Sequence, residues 1–115
     1  MKDMMTVAAY IYNRYQRDFD GKIDEMKLQE LMYFAQRESL IRTGEPLFVG
    51  DFYGWRFGPV LKELRTPYKD ESFSPDVTDA CMGEDKAILD EVLRALNSVV
   101  LPQFGLPASA ILMLM

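Results

Sequence analysis

Residues 47–59 have the sequence LFVGDFYGWRFGP, in which large aromatic side chains alternate with glycines. Pro46 prevents an earlier helix from continuing into this stretch, and its composition favours short strands or an ordered loop. In an extended chain Phe48 and Phe52 point one way, while Tyr53 and Trp55 point the other, so aromatics occupy both faces. Both faces cannot be equally exposed to solvent. For any single aromatic we favour core packing over contact with a partner, although exposed Tyr, Trp and Arg are typical of binding hot spots.

Two helices are predicted before this stretch. The first runs from Met4 to Tyr15. For the second, Asp24 is positioned as an N-terminal cap, and the helix runs to about Ile41 and ends before Gly44. Both are indicated by apolar residues at helical spacing, which are Met4, Ala8, Ile11, Tyr12 and Tyr15 in the first and Leu28, Leu31, Met32 and Ala35 in the second.

Three helices are predicted after residues 47–59. Gly58-Pro59 is expected to open the third, because proline is favoured at the first helical position, and Pro67 is expected to end it. A loop follows over residues 67–83. The fourth helix starts near Asp85, and its apolar face comprises Leu89, Val92, Leu93 and Leu96.

The apolar residues 108–115 predict a final core helix that starts near Pro107. This helix has neither a cap nor a polar end, so the sequence predicts one domain over residues 1–115 that is incomplete at its C-terminus. An incomplete domain would expose an apolar surface and self-associate through it. The fold prediction is a mainly α protein, a compact bundle of about five helices with a short aromatic strand or loop segment between the second and third.

Composition limits the classes of function. A chain of 115 residues with a net charge of −5 and a pI near 4.7 is a poor match for nucleic-acid phosphates, so we expect no nucleic-acid binding by this chain alone. Its N-terminus has no signal-like apolar run, and its single cysteine suits a reducing compartment, which favours a soluble cytoplasmic protein. Prolines interrupt the apolar C-terminal segment, so no membrane span is expected.

The inventory of catalytic residues is short. The chain has no histidine, which removes the commonest general base and the commonest metal ligand. The acids between the first two helices resemble a calcium loop, but Gln16 and Lys27 occupy the positions that require acids. We therefore expect no catalytic residues, no metal and no cofactor, and predict that the chain is not an enzyme. A small carboxylate-dependent enzyme is an open alternative.

Two sequence blocks carry a family resemblance. The first is KLQELMYFAQ, residues 27–36, and the second is PLF, residues 46–48, followed by GWRFGPV, residues 54–60. Together they resemble the Panacea domain, the family of SocA-type antitoxins that includes phage-associated members. The resemblance covers about residues 4–96. Glu30 departs from it, standing where the family usually has a basic residue, and so does Gly54, where it usually has alanine.

The resemblance implies an antitoxin that neutralises a cognate toxin by forming a protein complex. It also implies a protease as a further partner, and this role requires no catalytic chemistry. An alternative is a prophage-encoded adaptor or regulatory module that binds a host protein such as a protease. The motif residues implied as partner contacts are Trp55, Arg56, Tyr53, Tyr33 and Gln36, and those implied as structural are Gly58, Pro59, Leu28 and Leu31. A second interpretation stays open, in which the whole motif defines the fold and the toxin is bound elsewhere.

Overall fold

The computed structural model describes residues 2–56, 58–78 and 81–98, and this part of the chain contains four α-helices and one two-stranded antiparallel sheet. The mainly helical fold and the extended aromatic segment after the second helix are confirmed. The expected count of about five helices is slightly too high for the described residues, and the helix predicted near Pro107 lies outside them. The elements are α1 (Met4–Phe19), α2 (Glu25–Thr43), β1 (Tyr53–Trp55), β2 (Gly58–Val60), a 3-10 turn (Lys62–Leu64), α3 (Arg65–Asp70) and α4 (Asp85–Ser98).

Helix α2 is the centre of the fold. It packs against α1, α4 and β2, so its buried residues are not confined to one stripe. Leu28 and Leu31 are fully buried, and Gln29 and Phe34, which flank them on either side around the helix, are buried too. A helix that contacts neighbours on several sides needs apolar residues around most of its circumference.

The helices α1 and α4 cover α2. In α1, Ala8 and Ile11 are buried as their spacing predicts, while Tyr12 and Tyr15 are partly buried against the edge of the core. The apolar face predicted for α4 is also confirmed where the structure describes it. Its buried residues are Ile88, Leu89, Val92 and Leu93.

The ends of α2 lie where the sequence places them. Gly44 ends the helix in the left-handed conformation, with φ of 76°, and its N–H donates to the Leu40 carbonyl over 3.0 Å. Asp24 occupies the cap position, and its backbone carbonyl accepts the Leu28 N–H at 2.9 Å. Its side chain makes no capping hydrogen bond, so the position is as predicted but the expected side-chain cap is not formed.

The prediction for the third helix is wrong. Gly58 and Pro59 belong to β2, and the helix begins only at Arg65. Pro67 lies inside α3 as its third residue, where its missing N–H costs nothing because first-turn N–H groups have no partner within a helix. The predicted loop over residues 67–83 is therefore wrong for its first four residues, which are helical.

Candidate partner-binding surface

The aromatic stretch folds into a β-hairpin. Tyr53 pairs with Val60, Gly54 with Pro59 and Trp55 with Gly58. Trp55 and Gly58 flank a two-residue connection and so form a hydrogen-bonded pair, which makes Gly54 and Pro59 a non-hydrogen-bonded pair, the position that suits a proline without an N–H. Because hydrogen-bonded and non-hydrogen-bonded pairs alternate along an antiparallel ladder, the pairs on either side of them hold the strands together. The proline therefore costs the hairpin no ladder hydrogen bond.

Gly58 is required by its backbone conformation. Its φ of 124° lies in a region that side-chain-bearing residues rarely adopt. The glycine allows the chain to leave the two-residue connection between the strands and enter β2. The role implied for Gly58 as a structural residue of the motif thus has a direct physical basis.

Gln29 of α2 holds the chain just beyond β2. Its side-chain Oε1 accepts the Leu61 N–H at 2.8 Å, and its Nε2 donates to the Leu61 carbonyl over 3.1 Å. Only 4% of the surface of Gln29 is exposed to solvent, and Leu61 is fully buried. Buried backbone groups need partners, and here one side-chain amide supplies both.

Gln36 performs the same task two helical turns later. Its Oε1 accepts the N–H groups of Leu47, at 2.8 Å, and Phe48, at 3.2 Å, and its Nε2 donates to the Phe48 carbonyl over 2.8 Å. The Lys2 N–H also donates to the Leu47 carbonyl, over 2.7 Å. Gln29 and Gln36 together attach both ends of the aromatic stretch to one helix.

The aromatic side chains divide between core and surface. Phe48 is fully buried, and Phe52 packs edge-on against Tyr33 with ring centroids 5.4 Å apart. Tyr33 and Phe52 are both partly buried at the margin of the core. Tyr53, in contrast, is 42% exposed, and the Lys62 ammonium lies 4.1 Å from the centre of its ring. The alternation of the sequence thus separates a core face from a solvent face.

We call Tyr53, Gly54, Arg56 and Lys62 the hairpin surface. All four residues are exposed. A Cβ added to Gly54 would have no other group within 4 Å, so the alanine that the resemblance expects there fits without a clash. The hairpin surface therefore combines an exposed aromatic ring, two exposed cationic side chains and accessible backbone.

Glu30 lies on α2, one turn before Tyr33, and is half-buried. Its burial raises the pKa of the Glu30 carboxyl above its ordinary value, and the nearby charge of Lys27 lowers it by a smaller amount. The departure at Glu30 thus introduces a carboxylate whose ionised form is disfavoured by its surroundings.

Comparison with known proteins places these elements in a family. The sequence profile described as "Antitoxin SocA-like, Panacea domain" matches residues 28–100, which include most of α2, the hairpin and α4. The chain belongs to this family. It is also 34% identical over 83 residues to the protein named Antitoxin SocA from Caulobacter vibrioides (strain NA1000 / CB15N). That alignment covers 72% of the chain but 40% of the relative, so the chain spans well under half of that protein's length. No solved structure matches the chain.

Within the Panacea domain, the five residues predicted to contact a partner are not equivalent. Tyr53 and Arg56 belong to the hairpin surface, and Trp55 lies between them in β1, paired with Gly58. Tyr33 lies at the core margin against Phe52. The amide of Gln36 is already bonded to residues 47 and 48, so its contribution is to hold the stretch that leads into the hairpin.

Sequence reasoning missed Gln29 and Lys62. A usable signal for Gln29 was present, because it lies seven residues before Gln36 in the first motif block and therefore on nearly the same side of the helix. No local signal marks Lys62, whose position beside Tyr53 depends on the pairing of the two strands.

The expectations for metal ions and membranes concern the same described residues. Within residues 2–56, 58–78 and 81–98, no group of three or more acidic or cysteine side chains is placed to hold a metal ion. No helix of this part of the Panacea domain combines the length and the apolar character that crossing a bilayer requires. Self-association through residues 108–115 concerns a segment outside the described residues and stays a prediction.

Proposed function

We propose that this chain is an antitoxin that acts in the cytoplasm by binding a partner toxin directly, without catalysing a reaction. The observation that carries the proposal is its membership of the Antitoxin SocA-like family, together with 34% identity over 83 residues to a protein named Antitoxin SocA. Those 83 residues are most of this chain, so the similarity concerns its folded body rather than a short motif.

The hairpin surface supports the proposal physically. Tyrosine and arginine are enriched among the residues that dominate protein–protein affinity, and Tyr53 and Arg56 are both exposed on one short hairpin. Gln29 and Gln36 attach that hairpin to α2 at both ends. A surface that is already ordered loses little conformational entropy when a partner binds, which favours affinity.

The test is co-expression of the chain with the product of the gene adjacent to its own. The adjacent product alone is expected to arrest growth, and co-expression is expected to restore growth and to yield a complex that co-purifies. Growth arrest that persists despite an accumulated, folded chain would contradict the proposal, as would rescue without any complex.

Point variants can locate the binding surface. Tyr53→Ala is expected to weaken the complex, because it removes an exposed ring from the hairpin. Phe19→Ala is the matched control, since Phe19 is an aromatic residue of similar exposure, 50% against 42%, at the end of α1. Equal affinities of the two variants would show that the toxin binds elsewhere on the fold.

A further inference from the structure

The outer edge of β1 carries backbone groups that point away from the sheet. Since Gly54 and Pro59 form a non-hydrogen-bonded pair, the N–H and carbonyl of Gly54 face away from β2. Within the part of the chain that the structure describes, the sheet has two strands and this side of β1 is an open edge. Among the described residues, no hydrogen bond reaches either group of Gly54.

The neighbouring extended segments differ in this respect. Both backbone groups of Leu61, just beyond β2, are bonded to Gln29. At the start of the aromatic stretch, Gln36 and Lys2 bond the backbone of Leu47 and Phe48. The described residues thus supply hydrogen-bond partners for the extended backbone on both sides of the hairpin and none for the edge of β1 at Gly54.

We infer that the edge of β1 binds an extended acidic segment of the partner toxin, which adds a short third strand beside Gly54. This inference rests on the proposed function, because it assigns the chemistry of the partner to the same hairpin surface. Strand addition uses backbone hydrogen bonds for affinity and side chains for selectivity. The open space around Gly54 leaves room for another strand to approach its backbone.

Charge selects the partner. Residues 52–62 contain Arg56 and Lys62 and no acid, in a chain whose net charge is −5, with Asp51 and Glu63 only at the two borders. An acidic segment is complementary to these two cations. A second copy of the chain would bring two identical cationic hairpins together, which opposes edge-to-edge pairing between copies.

Amide exchange tests the inference directly. The 15N-labelled full chain is measured free and in complex with the product of the adjacent gene. We expect exchange at the Gly54 amide to slow about tenfold or more in the complex, because hydrogen bonding protects amides from exchange.

A stable complex in which Gly54 exchanges as fast as in the free chain overturns the edge assignment and leaves the proposed function intact. Failure to form any complex overturns both. Protection of Gly54 in the free chain that grows with concentration overturns the assignment in favour of pairing between copies.

A pair of substitutions at one position isolates the backbone group. Gly54→Pro removes the outward N–H, and its position in a non-hydrogen-bonded pair leaves the ladder bonds of β1 and β2 in place. Gly54→Ala keeps the N–H and has space for its methyl group. We expect the proline variant to bind the adjacent-gene product at least about tenfold more weakly than the alanine variant, with similar thermal stability. Equal affinities would overturn the inference.

The charge of the partner is tested separately. Lys62→Glu is expected to slow association and to reduce its salt dependence, whereas Lys69→Glu, an equal charge change at an exposed site in α3, is expected to have a smaller effect. If both substitutions change the association rate equally, only the net charge of the chain matters and the acidic segment is not bound at the hairpin.

Discussion

The side-chain amide of Gln29 is bonded to both backbone groups of Leu61, which lies 32 residues further along the chain. It accepts the Leu61 N–H at 2.8 Å and donates to the Leu61 carbonyl over 3.1 Å, in the arrangement that a neighbouring strand would otherwise provide. A helix thus completes the hydrogen bonding of the segment that leaves the hairpin.

Gln29→Met preserves the length of the side chain and its helix propensity but removes both hydrogen bonds. It leaves the N–H and carbonyl of Leu61 buried without partners, so we expect the free energy of unfolding to fall by about 2–4 kcal/mol. Urea unfolding followed by circular dichroism measures this. Gln16→Met, at an exposed position of α1, is the control and should change the stability by no more than about 0.5 kcal/mol. A similar small effect at Gln29 would mean that water replaces its hydrogen bonds.

Gln36→Met is expected to loosen the other end of the aromatic stretch. The amides of Leu47 and Phe48 lose their acceptor, so their hydrogen exchange should accelerate while the Leu61 amide stays protected. Gln29→Met should show the opposite pattern. Residue-resolved exchange by NMR distinguishes the two. Acceleration of all three amides in both variants would show that the two attachments open as one unit.

Gly58→Ala tests the backbone conformation at the start of β2. A φ of 124° is unfavourable for alanine, so we expect a loss of about 1–3 kcal/mol in the free energy of unfolding. Gly54→Ala is a matched control in the opposite strand, because its methyl group would enter open space. Thermal unfolding of both variants gives the comparison, and equal melting temperatures would contradict the strain expected at Gly58.

Glu30→Gln is expected to stabilise the protein near neutral pH. Burial raises the pKa of the Glu30 carboxyl in the folded state, so its ionisation opposes folding at every pH above that pKa. This cost declines as the pH falls through the folded-state pKa and is gone below the unfolded-state value. The stabilisation measured at about pH 7 should therefore vanish near pH 4. Urea unfolding at several pH values checks this, with the exposed Glu63→Gln as a control for the loss of a surface charge. A gain that is the same at all pH values would rule out ionisation as its cause.

Arg42→Gln is expected to raise the pKa of Glu91. The Arg42 guanidinium bonds the Glu91 carboxylate between α2 and α4, and this hydrogen bond holds the pKa of Glu91 below its ordinary value. Removing the guanidinium should return it towards that value. NMR titration of the glutamate side chains measures the change, and an unaltered Glu91 pKa would show that the ion pair does not persist in solution.

The sequence by itself determined the three long helices and the family. Helical periodicity is visible when a helix is long enough to repeat its apolar face, as at Ala8 and Ile11 in α1 and at Leu89, Val92 and Leu93 in α4. The boundary at Gly44 was also predictable, because a glycine after the last apolar turn is a local signal that needs no tertiary contact. The paired motif blocks carried the family, since their joint occurrence is far less frequent than either block alone.

Only the tertiary structure decided what residues 58–61 do. Gly-Pro is compatible with a helix start and also with an edge strand, and a strand of three residues is too short to reveal its period. Its pairing with Tyr53–Trp55 and the hydrogen bonds from Gln29 to Leu61 resolved the choice, and both are contacts between residues that no local pattern relates. The candidate binding surface was only partly predictable for the same reason. Sequence named Tyr53 and Arg56, but the open edge at Gly54 and the position of Lys62 beside Tyr53 exist only once the two strands have paired.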